Sequence, residues 1–261
     1  GVSSMVAPIY IAELAPARIR GRLVTLNQMA IVTGILMANV VGWALTDIGA
    51  NNWRWMFASA SLPAFLLFIA LLFVPESPRW LAQRGVFDQA LAILARIGGQ
   101  NHANGELKEI KESLNEETGS IRELFEPGFR TALLLGVLLA VLGQITGINT
   151  IIYYAPKVFL AAGLPEQKSA MWATVLVGAT NFVSTIIALC VIDRIGRKPL
   201  LLFGAAGMGI SMMLAGILLP MEGVTATVKI AVVLGYIASF AIGVGGTVWV
   251  VISEIFPTKI R

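Results

Sequence analysis

The chain has 261 residues, 57% of them apolar and only 13% charged, with a mean hydropathy of +0.80, which excludes an ordinary water-soluble domain. Its net charge of +4 is scattered over short loops and builds no basic face, so nucleic acid is excluded as a partner. The single cysteine, Cys190, lies in an apolar run and allows no intrachain disulfide.

In chain order, residues 1–12 are small and apolar and read as the tail of a helix begun upstream. The chain starts at Gly1 with no basic-then-apolar leader, and reads as a piece of something longer. A basic loop follows, with Arg18, Arg20 and Arg22. Uncharged runs then cover 24–46, 131–156, 169–192, 199–221 and 230–253, with a further apolar run at 55–74. Each is long enough to cross the roughly 30 Å hydrocarbon core of a bilayer as a helix. The expected class is an all-α integral membrane protein with six complete spans and one partial span, surrounded by membrane lipid.

The interval 75–130 differs in kind, holding nine acidic and seven basic residues. Ala90, Leu91, Leu94 and Ile97 fall on one helical stripe, and Leu107, Ile110 and Leu114 on another, which predicts short amphipathic helices. Gly98-Gly99 and Asn104-Gly105 are expected to punctuate them, with His102 in the punctuation as a loop residue.

Basic residues give the orientation. Loops 15–23, 193–198 and 257–261 carry three, three and two Lys or Arg, whereas 47–54, 157–168 and 222–229 carry one, two and one. The positive-inside rule places the first set, and with it 75–130, in the cytoplasm. Glu13-x-x-Pro16-x-x-Ile19-Arg20 recurs as Glu254-x-x-Pro257-x-x-Ile260-Arg261, six spans later and in the same orientation. That is the pattern of a parallel repeat of six-helix halves.

The stretch 143–156, G-Q-I-T-G-I-N-T-I-I-Y-Y-A-P, places Gln144, Asn149, Tyr153 and Tyr154 inside an apolar span. Polar groups at that depth face other helices or a wet cavity and are functional candidates; helix–helix hydrogen bonding is the plainer alternative. On an ideal helix Gln144 and Asn149 point about 140° apart, so their convergence requires a kink or unwinding near Gly147.

P-E-S-P-R at 75–79, Q-I-T-G-I-N at 144–149, D-R-I-G-R-K at 193–198 and the two E-x-x-P-x-x-I-R copies together resemble the sugar porter family of the major facilitator superfamily. This group includes bacterial proton–sugar symporters and facilitative glucose transporters. The resemblance implies a twelve-helix plan of which this chain spans late helix 4 to the end of helix 10. Residues 1–74 then close the N-terminal half, 75–130 form a cytoplasmic helical linker domain, and 131–261 open the C-terminal half. About three and a half further helices are expected upstream and two downstream. Severed from their bundle, Gln28 and Asn39 are expected to lack partners.

By the same resemblance the sugar-binding residues are Gln28, Gln144, Asn149, Tyr154, Asn181 and Trp249. Amides both donate and accept, which suits a ring of hydroxyls, and aromatic rings offer a flat face to sugar C–H groups. Glu13, Arg20, Glu254 and Arg261 are implied to form cytoplasmic ion pairs that hold the halves together when the site opens outward. The chain departs from the family pattern at Gly143, where a second glutamine is usual, and at Gly245-Gly246, where G-P is common. Ile35 stands where xylose-type porters carry another glutamine.

The expected function is transport of a monosaccharide or polyol across the cell membrane by alternating access. Proton symport is the expected mode, without cofactor or metal, by a protein that is monomeric when full length. A non-transporting sugar receptor on the same scaffold is the alternative. An enzyme has no support, because no span holds an acid–base or nucleophilic pair. The family's proton-linked aspartate lies in helix 1, outside these residues.

Overall fold

The computed structural model describes residues 6–7, 10–11, 13–15, 20–116 and 130–255. The described helices are α1 (Arg20–Ala44), α2 (Asn52–Leu71), α3 (Pro78–Gln83), α4 (Phe87–Gly98), α5 (Gln100–Glu116), α6 (Arg130–Ile145), α7 (Ile148–Ala161), α8 (Gln167–Ile195), α9 (Arg197–Leu218), α10 (Ala226–Ser239) and α11 (Thr247–Ile255), with a π-helical turn at Phe240–Gly245 joining the last two. Among the described residues, six segments are long and apolar enough to cross a membrane: Leu26–Ala44, Asn52–Leu71, Arg130–Ala161, Gln167–Ile192, Arg197–Leu218 and Ala226–Ile252. They coincide with the six expected spans. The chain divides into two compact units, one within residues 1–28 and 62–124, the other within 29–61 and 125–259.

In the first unit, Ser77 caps α3 by accepting from Trp80 N–H at 3.3 Å, and Pro78 occupies the first turn, where its missing N–H costs nothing. Leu81 and Ala82 of α3, Ala90 and Leu94 of α4, and Ala103 and Leu107 of α5 form one apolar core, flanked by Leu91, Ile110 and Leu114. Both amphipathic stripes are therefore present, with one correction: Ile97 is exposed, because α4 ends one residue later and its last turn extends beyond the core. A second correction concerns Asn104-Gly105, which lies inside α5 together with His102, since α5 begins at Gln100 directly after Gly99. The turn is made by Gly99 alone, at φ 81°.

In the second unit, the core is Ile148, Ala155, Phe159, Ala170, Ala173, Val177, Met208, Val233, Tyr236, Ile237, Val244 and Val248, drawn from α7 to α11. The α9 helix meets the π-helical turn backbone to backbone: a Cβ on Gly204 would lie 2.6 Å from Gly243 Cα. Only paired glycines allow that approach, the usual means of tight helix contact within a membrane.

The latter part of α1 runs antiparallel along α8. Gly178 sits against Leu36 and Asn39, Gly42 against Met171, Trp43 meets Trp172 at a tilt of 52° with centroids 5.2 Å apart, and Lys168 pairs with Asp47 at the end of the seam. Asn39 donates to the Thr174 carbonyl at 3.2 Å. This corrects the expectation that Asn39 lacks a partner: the partner comes from α8, across the chain. By contrast, α2 buries no residue. An apolar helix exposed all round is suited to hydrocarbon contact.

Candidate functional site

The span 131–156 is not one helix. The α6 helix stops at Ile145 and α7 starts at Ile148, with Gly147 between them at φ 82°, ψ 12°, a left-handed conformation that glycine adopts without penalty. The break turns the chain enough for Asn149 Nδ2 to donate to Gln144 Oε1 at 3.0 Å. The kink required for these amides to converge is thus present, at the glycine where it was expected. The mutual bond leaves the Gln144 amide nitrogen and the Asn149 oxygen as donor and acceptor, and both side chains are exposed.

The break is tied down on several sides. Thr146 Oγ1 donates to Gly143 O at 2.7 Å, Gly147 N–H to Gln144 O at 3.3 Å, and Ile151 N–H to Gly147 O at 3.1 Å. Tyr236 of α10, only 2% exposed, donates its hydroxyl to the Thr146 carbonyl at 2.7 Å. A C-terminal carbonyl that has lost its helical partner is satisfied here by a side chain from another helix.

The remaining expected residues are less closely assembled. Tyr154, in α7, is exposed and has the Lys157 ammonium 5.6 Å from its ring centroid. Asn181 is buried in α8, and its backbone carbonyl accepts the Thr185 hydroxyl at 2.8 Å. Trp249 is exposed on α11, the helix that packs against α6. Among the described residues no hydrogen bond joins Tyr154, Asn181 or Trp249 to the amide pair. Gln28 lies half-buried in α1, within the first unit. A cavity of about 490 Å³ between α7, α9 and α10 is lined by Ile151, Val158, Met212, Val233 and Tyr236 among others, and by none of the candidate sugar residues.

Of the charges in the repeated motif, Glu13 accepts a hydrogen bond from the Ser77 hydroxyl, joining the first E-x-x-P-x-x-I-R copy to the P-E-S-P-R motif within one unit. The side chains of Arg20 and Glu254, and all of Arg261, lie outside the described residues.

Two residues escaped sequence reasoning. Tyr236 is one; the signal for it was a lone phenol in an uncharged span. Lys229 is the other, counted above as an ordinary loop charge. It is 7% exposed, and its ammonium donates to Ala162 O at 3.0 Å and Leu219 O at 2.8 Å, the carbonyls that end α7 and α9. A cation at two helix C-termini is favoured by both dipoles.

The family model for "Sugar (and other) transporter" matches residues 1–261. The chain belongs to the sugar transporter family. It is 41% identical to the arabinose–proton symporter of Bacillus subtilis strain 168, over all of this chain and 58% of that protein. It is 44% identical to the galactose–proton symporter of Escherichia coli K12, over all of this chain and 57% of that protein. Among solved structures, the E. coli xylose transporter in a partially occluded, inward-open conformation matches with a TM-score of 0.86 at 40% identity, over 98% of this chain and 55% of that one. The fold is therefore the major facilitator fold, in a multi-pass integral membrane protein. The chain spans just over half the length of the relatives it matches.

Proposed function

We propose that the protein carries a monosaccharide or polyol across the plasma membrane by alternating access, in symport with protons, and performs no catalysis. The observation that carries this reading is the Gln144–Asn149 amide pair, bridged at 3.0 Å across the Gly147 break. A helix broken at membrane depth, presenting two amides to an accessible face, is chemistry for a neutral polyhydroxy ligand. Relatives of similar sequence are named for arabinose, galactose and xylose, which supports a sugar over other neutral solutes. Asn181, Tyr154, Trp249 and Gln28 complete the site in this reading, on separate helices that close around the ligand as the halves move.

Residues 75–130 face the cytoplasm in this reading, and Glu13, Arg20, Glu254 and Arg261 form the inner latch. Exposed pairs contribute only about 0–1 kcal/mol each, enough to bias a two-state equilibrium and too little to lock it. The test is equilibrium sugar binding by the complete protein. Asn149→Ala and Gln144→Ala are each expected to weaken binding about ten- to a hundredfold, as loss of one hydrogen bond in a dry site implies. Unchanged affinity in both variants, with folding intact, would return the amides to a helix-packing role.

A further inference from the structure

At the Gly147 break several hydrogen bonds of a continuous helix are missing: Gly147 N–H turns to Gln144 O, and among the described residues the next helical bond is that of Ile151 N–H. In an unbroken helix the Thr146 carbonyl would accept from the N–H four residues on, that of Thr150. Here α7 restarts at Ile148, Ile151 N–H goes to Gly147 O, and the Thr146 carbonyl points out of the ladder. In apolar surroundings an unpaired carbonyl is costly, so the break persists only if another donor reaches it. That donor is the Tyr236 hydroxyl, at 2.7 Å. The ring is fixed by burial among Val233, Ile237 and the rest of the α7–α11 core, so the hydroxyl is held in place before any ligand arrives.

The bond lies at the centre of the candidate site. Thr146 is two residues after Gln144 and three before Asn149, and the amides meet only while the break stays open. Without the hydroxyl, the nearest relief for the carbonyl is to rewind onto the Thr150 N–H. Glycine occupies negative and positive φ about equally well, so Gly147 offers little resistance. Rewinding restores the helical register and turns Asn149 about 140° away from Gln144.

We propose that Tyr236 is a positioning residue for the sugar site: its hydroxyl holds the Gly147 break open and so sets the Gln144–Asn149 pair without touching the sugar. This rests on the reading of Gln144 and Asn149 as sugar ligands. The chemistry differs from that of an ordinary buried tyrosine, whose hydroxyl bond would matter to stability alone.

The test is a double-mutant cycle in the complete protein, read by equilibrium binding of D-xylose, D-galactose and arabinose. Tyr236→Phe removes one oxygen and keeps the ring. It is expected to weaken binding about tenfold, comparably to losing one amide contact. In a background lacking both amides, Gln144→Ala with Asn149→Ala, the same substitution is expected to cost less than about twofold, because the pair it positions is already gone. Full, additive losses in the two backgrounds would overturn the proposal. Unchanged affinity in Tyr236→Phe, with Gln144→Ala still impaired, would overturn it and leave the amide site standing. Unchanged affinity in Gln144→Ala would remove the site reading and this proposal with it. If Tyr236→Phe is not recovered as monodisperse protein, Gly147→Ala serves instead. A Cβ there meets no atom within 4 Å, so that variant acts only by disfavouring φ 82°. It is expected to weaken binding to a similar degree, and wild-type affinity in it would refute the positioning role.

Discussion

The contact between Gly204 and Gly243 makes the sharpest structural prediction. A Cβ added to Gly243 would collide with Gly204 Cα and lie 2.6 Å from Leu200 O and 2.8 Å from Gly204 N. All three are backbone atoms, so no rotamer change can relieve the clash. To reach an ordinary contact of 3.4 Å with Leu200 O, α9 and the π-helical turn must separate by about 0.8 Å. Overpacking of this kind costs about 1–3 kcal/mol, and the rigid backbone places Gly243→Ala toward the upper end. The gain from replacing a helical glycine, about 0.5–1 kcal/mol, offsets only part of that. A net loss of about 2 kcal/mol lowers the melting temperature by roughly 4–8 °C for a unit of this size. The assay is thermal unfolding of the purified complete protein, with Gly209→Ala as control. Gly209 is on α9, the helix of Gly204, with nothing within 4 Å of its Cβ position, and its substitution is expected to be neutral or slightly stabilising. Equal melting temperatures for Gly243→Ala and Gly209→Ala would refute the close backbone contact.

Lys229→Met removes two charge-assisted hydrogen bonds from the ends of α7 and α9 and leaves both carbonyls short of a donor. Such bonds contribute about 1.5–3 kcal/mol each, but burial of the ammonium is itself costly, so the expected net loss is about 1–3 kcal/mol; a variant as stable as wild type in chemical denaturation would contradict this. For topology, cysteines placed at Gln100 and Glu166 in a Cys190→Ser background are expected to react with impermeant reagent from opposite sides of the membrane. Glu166 is exposed, whereas the neighbouring Ala162 is buried and would report nothing. Labelling of both from outside would contradict the six-crossing arrangement.

The spans were legible because hydrocarbon leaves little choice: about twenty apolar residues must satisfy every backbone group internally. The break at Gly147 was legible for a related reason, since two amides about 140° apart on one helix cannot share a ligand unless the helix stops between them. What the sequence hid lies between helices. Periodicity reports which face of one helix is apolar, and is silent about which residue of another helix meets it. No residue near Asn39 in sequence takes its amide, and Thr174, far along the chain, accepts its hydrogen bond. Lys229, one residue before an uncharged run, was counted as a loop charge, although two distant carbonyls draw it inside. No spacing rule links Tyr236 to Thr146, 90 residues earlier. The π-helical turn at Phe240–Gly245 carries the glycine contact with α9, a tertiary contact that no local pattern records.

The central claim is sugar transport through the amide site, and uptake into proteoliposomes tests it most directly. Complete protein is reconstituted and given radiolabelled D-xylose, D-galactose or arabinose, with and without an inward proton gradient. The account predicts saturable uptake of at least one of the three sugars, accelerated by the gradient, collapsed by a protonophore and reduced about tenfold or more at limiting sugar in Asn149→Ala. Uptake no greater than in empty liposomes for all three sugars, by protein shown to be folded and inserted, would contradict it.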